Sequence, residues 1–306
     1  MPHNLAGAWP DEDPRVTGRW VGLVAAIVMS VVGGASILCV GGLLGAMVLI
    51  IRHGMAGAAD IANLSGDAMA VTFFGGFGTF ALLGLGIVVA LGWRISHGFA
   101  LRGSPIVPLI LAVLGGLFVG VFPGWIADQI MQQFPELANS GTLELIPRLM
   151  MDGSLFERGM TLATIVIGAP LLEELCFRGL LWGAIERIAP GQAGQALAFV
   201  FTSLAFVIAH ADPVQSPALL PTAFFLGWLR WSSGSIYPSI LAHFVNNSLA
   251  AGLTILALTY QWDSSSSTPA WLGGLGLGLT VLVAVGVWAG RRKPAATPET
   301  IVLARG

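Results

Sequence analysis

The chain has 306 residues, of which 55% are hydrophobic and only 10% are charged, and its mean hydropathy is +0.82. These values exclude an ordinary soluble domain and indicate a protein that crosses a membrane several times. The formal net charge of -2 gives no support for nucleic-acid binding. The two cysteines, Cys39 and Cys176, both fall in apolar segments, where we expect buried thiols and not a disulfide. Arginine outnumbers lysine thirteen to one, a bias typical of GC-rich bacterial coding sequence.

Eight apolar segments predict an all-α fold, a polytopic membrane helix bundle with about eight transmembrane helices. They cover residues 20–51, 69–93, 105–127, 161–185, 195–210, 216–231, 237–260 and 271–290. The first is longer than the roughly 20 residues that a span needs, so we expect it to tilt, bend or project from the bilayer. The fifth and sixth are short, which a bundle tolerates where a helix lines a cavity. The glycines suit close helix packing, as at Gly41, Gly42, Gly45, Gly84 and Gly86.

The basic residues between these segments predict the orientation of the chain. On one side lie Arg15, Arg19, Arg94, Arg102, Arg187, Arg230, Arg291, Arg292, Lys293 and Arg305; on the other lie Arg52, Arg148 and Arg158. The positive-inside bias then places both termini in the cytoplasm and the protein in the cell membrane. The polar first 19 residues are not expected to be a secretory leader.

The same patterns divide the chain into six parts. They are a cytoplasmic N-terminal segment (1–19), N-terminal transmembrane helices (20–127), an interfacial loop (128–160), a transmembrane core with the intramembrane ionisable residues (161–260), a last loop and helix (261–290) and a cytoplasmic tail (291–306). Apolar residues are spaced among polar ones in the loop. We therefore expect one or two amphipathic helices there, at the membrane surface.

The fourth segment carries three ionisable side chains within the stretch 170–179, which reads PLLEELCFRG. A charge at membrane depth costs roughly 2.5–3.5 kcal/mol even on lenient insertion scales, so three charges here indicate a function. Glu174 and Arg178 are four residues apart, and the acid comes first, which favours an ion pair on one helix face. Glu173 points about 100° away and is left free for chemistry. An architectural ion pair alone would leave Glu173 unexplained. Pro170 is expected to kink the helix and open backbone groups near the acids.

Two further spans carry one histidine each. His210 follows Phe206 by four residues in the fifth segment, and His243 precedes Asn247 by four residues in the seventh, so each pair shares a helix face. A single intramembrane histidine is often a hydrogen-bonded imidazole that joins two helices. Two histidines together with an unpaired Glu173 favour a functional site.

These three patterns, Glu-Glu-x-x-x-Arg, Phe-x-x-x-His and His-x-x-x-Asn in that order, resemble the CPBP family of CAAX prenyl endopeptidases and bacteriocin-processing (abortive-infection) proteins. The resemblance covers roughly residues 161–258 and implies an intramembrane endopeptidase that acts on a membrane-associated peptide or protein. Glu173 and His210 would hold and deprotonate a water, and His243 and Asn247 would donate to the oxyanion. Arg178 would neutralise and orient Glu174, and Phe206 would support the site.

A metal-dependent version of the site competes with this one, and family members are commonly called metalloproteases. Glu173, His210 and His243 could supply three zinc ligands and leave a fourth position for water. We favour a mechanism that requires no cofactor, for two reasons. Asn247 shares a face with His243, which suits a pair of oxyanion donors. Glu174 is expected to be committed to Arg178, so it would not be available to orient a zinc-bound histidine.

Two other interpretations receive less support. Cys176 lies two positions from both Glu174 and Arg178, so it should face elsewhere and is not expected to be a nucleophile. A non-hydrolytic membrane protein, such as an immunity or scaffold protein or a transporter, could use the polar cluster for binding or proton movement. No inverted repeat is recognisable that would favour a transporter. The substrate's identity and the oligomeric state do not follow from the sequence.

Overall fold

The computed structural model describes residues 19–58, 63–137, 142–189, 191–260 and 270–290, and every element in these ranges is helical. The main helices are α1 (Arg19–Ala56), α2 (Gly66–Ala90), α3 (Ile106–Gln133), α4 (Thr142–Asp152), α5 (Leu155–Ile185), α6 (Gly191–Ala209), α7 (Leu220–Ser233), α8 (Tyr237–Tyr260) and α9 (Ala270–Gly290). The all-α class is confirmed. The predicted N-terminal segment and the predicted tail lie outside the described residues, except for Arg19.

Six of the described helices are long and apolar enough to cross a membrane, namely α1, α2, α3, α5, α6 and α8. The predicted count of eight is not confirmed. The sixth predicted segment corresponds to α7, whose 14 residues extend about 21 Å, less than the ~30 Å hydrocarbon core. The eighth corresponds to α9, an apolar helix of 21 residues. The first predicted segment lies in the helix Arg19–Ala56, whose 38 residues are more than a perpendicular span needs and whose backbone is kinked at Gly54.

The helix α5 occupies the middle of the bundle and packs against α2, α6 and α8. Its C-terminal half is almost completely buried, with Leu180 and Trp182 inaccessible to solvent. Its N-terminal end is held by Arg52 of α1, which forms ion pairs of 2.7 Å with both Asp67 of α2 and Glu157 of α5. The first two spans therefore position the helix that carries the Glu-Glu-x-x-x-Arg motif.

Glycine allows some of these helices to approach closely. A Cβ atom at Gly116 of α3 would lie 2.6 Å from the carbonyl oxygen of Ala242 in α8, and one at Gly41 of α1 would lie 2.5 Å from that of Thr72 in α2. Any larger residue would push these helix pairs apart. Of the glycines singled out by the sequence, Gly41, Gly45 and Gly84 pack against a neighbouring helix, whereas Gly42 and Gly86 face open space.

The loop predicted at 128–160 is more helical than the sequence indicates. The helix α3 continues to Gln133, the amphipathic α4 follows, and α5 begins at Leu155 and not near residue 161. Ser154 caps α5 by a reciprocal pair of bonds with Glu157, which explains the early start. The helix α4 packs against α5 and α8, so its apolar face meets the bundle.

Two basic residues assigned to loops are buried instead. Arg230 lies inside α7 and is 4% exposed, and Arg187, just beyond α5, is 6% exposed. Arg230 is held there because its Nε donates to the carbonyl oxygen of Arg178 at 3.0 Å. Without these two, the charge count is eight against three, so the predicted bias keeps its sign. Both cysteines are free thiols as predicted, but Cys39 is exposed on the bundle surface and only Cys176 is buried.

Candidate active site

The backbone of α5 is irregular on both sides of the two glutamates. Residues Thr164–Gly168 and Leu175–Leu181 are π-helical, a geometry that is frequent at functional sites. In the first of these turns the N–H of Ala169 donates to the carbonyl of Thr164, five residues back. The next bond in that register would need an N–H from Pro170, which proline lacks. The carbonyl of Ile165 is therefore left without a backbone donor, and the opening predicted next to the acids lies there.

Asn247 of α8 supplies the missing donor to the carbonyl of Ile165. Its Nδ2 donates to the carbonyl oxygen of Ile165 at 2.9 Å. The bond ties α8 to α5 close to the glutamates and uses one of the two N–H groups of the amide. One N–H of Asn247 is left for any other acceptor.

The pair of Glu174 and Arg178 forms as the spacing predicts. The Nη1 of Arg178 lies 3.0 Å from the Oε1 of Glu174, and both side chains are inaccessible to solvent. The guanidinium also donates from Nη2 to the carbonyl of Ala223 at 2.9 Å and lies over the ring of Phe206, 4.4 Å from its centroid. Arg178 thus connects α5 to both α6 and α7.

Glu174 has a second partner that the sequence does not reveal. Its Oε1 lies 3.2 Å from the Nδ1 of His243, so Glu174 pairs with Arg178 as predicted, but the expectation that it is unavailable to orient a histidine is wrong. A carboxylate accepts, so Nδ1 of His243 carries the proton in this contact. The opposite ring nitrogen, Nε2, lies 4.0 Å from the Oε2 of Glu173.

Glu173 is the carboxylate without a committed partner. It is 5% exposed, and its Oε2 forms no hydrogen bond with any described residue. His210 is held differently: its Nδ1 lies 2.8 Å from the carbonyl oxygen of Phe206, so this nitrogen donates and Nε2 is left as an acceptor. The ring of Phe206 lies between the two histidines, with centroids 4.8 Å from His210 and 5.8 Å from His243.

A cavity of about 530 Å³ brings the predicted residues together. Of the seven side chains singled out by the sequence, five line it: Glu173, Phe206, His210, His243 and Asn247. Glu174 and Arg178 lie behind this wall. The helix α4 contributes Ile146, Pro147 and Met150, so the amphipathic segment covers part of the cavity.

Five polar lining residues were not predicted. These residues, which line the same cavity, are Thr164, Gln215, Thr222, Asn246 and Thr254. Asn246 could have been suspected, because it stands beside Asn247 in an apolar helix. Thr222 gives no signal, since a lone threonine in a helix commonly bonds to its own backbone.

The three residues required by the metal alternative, Glu173, His210 and His243, line the same cavity. Among the described residues, no group of three His, Cys, Asp or Glu side chains is arranged to hold an ion. Cys176 is buried outside the cavity, with its Sγ 3.7 Å from the carbonyl of Phe77, consistent with no nucleophilic role.

No curated protein and no solved structure matches this chain. A family match does exist, and it covers the helix α5, the helix α6, the helix α7 and the first half of α8, where all three motifs lie. Residues 157–249 match the family described as type II CAAX prenyl endopeptidase Rce1-like, in agreement with the CPBP family that the three motifs resemble.

Proposed function

We propose that this protein is an intramembrane endopeptidase that hydrolyses a peptide bond in a membrane-associated peptide or protein. The observation that carries the proposal is the shared cavity. Glu173 of α5, His210 directly after α6 and His243 of α8 line one space inside an apolar bundle. The carboxylate of Glu173 has no hydrogen-bond partner at Oε2 among the described residues. The Rce1-like match supports the same activity class.

Glu173 and His210 activate the water. The free Oε2 of Glu173 can accept a proton from a water that His210 holds through its acceptor Nε2. The water oxygen attacks the peptide carbonyl carbon, and the proton held by Glu173 passes to the departing amine as the C–N bond breaks. One carboxylate thus serves first as base and then as acid.

His243 and Asn247 stabilise the oxyanion. Because Nδ1 of His243 donates to Glu174, Nε2 can donate to an oxyanion only when the ring is doubly protonated. The second N–H of Asn247 is a neutral donor for the same oxygen. Arg178 and Phe206 act indirectly, because they hold Glu174 and the two imidazole rings in place.

Cleavage of a defined peptide tests the proposal. Purified protein in detergent is offered an internally quenched farnesylated CAAX peptide, and the products are identified by mass spectrometry. Comparative proteomics of membranes with and without the active protein then identifies natural substrates. Cleavage by the wild-type protein is expected. If the protein binds the peptide and never cuts it, the non-hydrolytic alternative is correct.

We expect hydrolysis to need no metal. Two observations support this. No group of three His, Cys, Asp or Glu side chains among the described residues is arranged to hold an ion, and Glu173 and His210 line one cavity, where they can hold a water without a metal. Protein stripped with a strong chelator should therefore keep most of its peptidase activity in detergent. About one zinc per chain by elemental analysis, with activity lost on chelation and restored by zinc, would contradict this prediction and would make the three side chains the ligands.

We further propose that the protein lies in the cell membrane of a bacterium with both termini in the cytoplasm, as the basic residues predict. Reporter fusions at the C-terminus and between α4 and α5 should then report opposite sides. The outcome depends on α7 and α9. Opposite sides follow if both of these helices cross or if neither does, and the same side follows if only one of them crosses. Reporters on the same side would contradict the predicted topology.

A further inference from the structure

A chain of hydrogen bonds fixes the orientation of two neighbouring amides in α8. The carbonyl of Ile165 can only accept, so the group of Asn247 that points to it must be the NH₂ group. The Oδ1 of Asn247 is consequently turned the other way, where it accepts from the Nδ2 of Asn246 at 3.2 Å. Asn246 in turn must direct its own Oδ1 away from this bond. Because Pro170 has no N–H, the carbonyl of Ile165 accepts from Asn247 instead. This bond orients both amides and leaves the Oδ1 of Asn246 outside the bond between them.

The atom that Asn246 presents is an unused acceptor. Its Oδ1 is shielded from bulk solvent and has no hydrogen-bond partner among the described residues, although the side chain lines the cavity. Space for it is left by Gly120, where a Cβ atom would overlap this oxygen. Because a buried acceptor without a donor costs free energy, its presence indicates a ligand that donates to it.

A second polar atom in the cavity wall has the same character. The hydroxyl of Thr222, near the start of α7, is buried and has no hydrogen-bond partner in the described part of the chain. A hydroxyl can donate to a carbonyl oxygen, which an amide oxygen cannot do. The remaining wall is mostly apolar, and neither group carries a charge.

We propose that Asn246 and Thr222 bind the main chain of the peptide substrate, with Asn246 accepting from a peptide N–H and Thr222 donating to a peptide carbonyl. This inference rests on the proposed endopeptidase function. A peptide that enters an apolar cavity loses its water, so its N–H and C=O groups need partners there. Neutral acceptor and donor atoms match a main chain whatever its side chains are, whereas a charged ligand would require an opposite charge.

Steady-state kinetics with the quenched farnesylated CAAX peptide test the inference. Asn246→Ala and Thr222→Val should each raise KM about two- to tenfold, the effect of one neutral hydrogen bond, because binding is lost equally in the ground and transition states. The value of kcat should stay unchanged. Gly120→Ala keeps every hydrogen-bonding group and displaces the Oδ1 of Asn246, so it should raise KM in the same way. Gly124→Ala is the matched control, because its Cβ meets nothing within 4 Å in the same cavity.

Ester-containing versions of the peptide identify the group that Asn246 binds. Replacing one non-scissile amide by an ester removes one N–H. For one amide position of the peptide, the ester should raise the KM of the wild-type protein and leave the KM of Asn246→Ala unchanged. Unchanged KM in Asn246→Ala and Thr222→Val, or a fall in kcat alone, overturns the inference while leaving the endopeptidase intact. If the wild-type protein cleaves no peptide, the proposed function fails and this inference fails with it.

Discussion

Glu173→Gln should reduce kcat by about 10²–10⁴-fold, the range that a positioned acid or base contributes. The change keeps the shape of the side chain and removes its ability to accept a proton from water. Stability should be unchanged or slightly higher, because Oε2 of Glu173 has no hydrogen-bond partner to lose among the described residues and a buried charge disappears. Cleavage of the quenched peptide and thermal unfolding in detergent measure the two effects separately.

The adjacent position supplies the control for that change. Glu174→Gln is the same chemical substitution one residue further along α5, but it weakens contacts to Arg178 and His243. It should lower the melting temperature, whereas Glu173→Gln should not. Normal turnover in Glu173→Gln would remove Glu173 from the chemistry. Loss of folding in that variant would make the whole cluster structural.

The largest stability effects should come from breaking the buried ion pair. Removing either Glu174 or Arg178 leaves the other charge buried without its partner, which costs about 3–5 kcal/mol of the free energy of unfolding. Arg178→Leu should be the worse of the two, because Arg178 also donates to the carbonyl of Ala223 and lies over Phe206. Thermal or denaturant unfolding in one detergent provides the comparison.

A double variant separates the effect of losing the charges of this pair from the effect of changing the side-chain shapes. Glu174→Leu combined with Arg178→Leu should be less destabilised than the sum of the single changes, because no uncompensated charge is left in the core. Equal destabilisation by changes at Glu173, Glu174 and Arg178 would contradict the division between a working carboxylate and a structural one.

Helical spacing explains why much of the site was predictable. The separation of Glu174 and Arg178 determines that they share a face, and the same reasoning separates Glu173 from them. The three motifs and the apolar segments are likewise local patterns. For this reason the all-α class was predicted correctly, and the motifs pointed to the family that residues 157–249 match. Pro170 marked the place where α5 becomes irregular.

Contacts between helices were the part that could not be predicted. Periodicity reports which face a residue occupies but not which helix meets that face, so the contact of His243 with Glu174 and the bond from Asn247 to Ile165 are new in the structure. Arg230 was assigned to a loop because an arginine near a span end usually reaches water. Inside α7 it is buried instead by its bond to the carbonyl of Arg178. The count of eight spans stays a prediction, because apolar composition does not distinguish a short cavity-lining helix from one that crosses the bilayer.

Hydrolysis in water enriched in oxygen-18 tests the central claim most directly. Purified wild-type protein and Glu173→Gln are incubated with the farnesylated CAAX peptide in this water, and the masses of the products are measured by mass spectrometry. The account predicts a new carboxyl terminus that carries one heavy oxygen in the wild-type reaction, and no product above background with Glu173→Gln. A wild-type protein that gives no labelled product, or a Glu173→Gln variant that gives as much as the wild type, would contradict it.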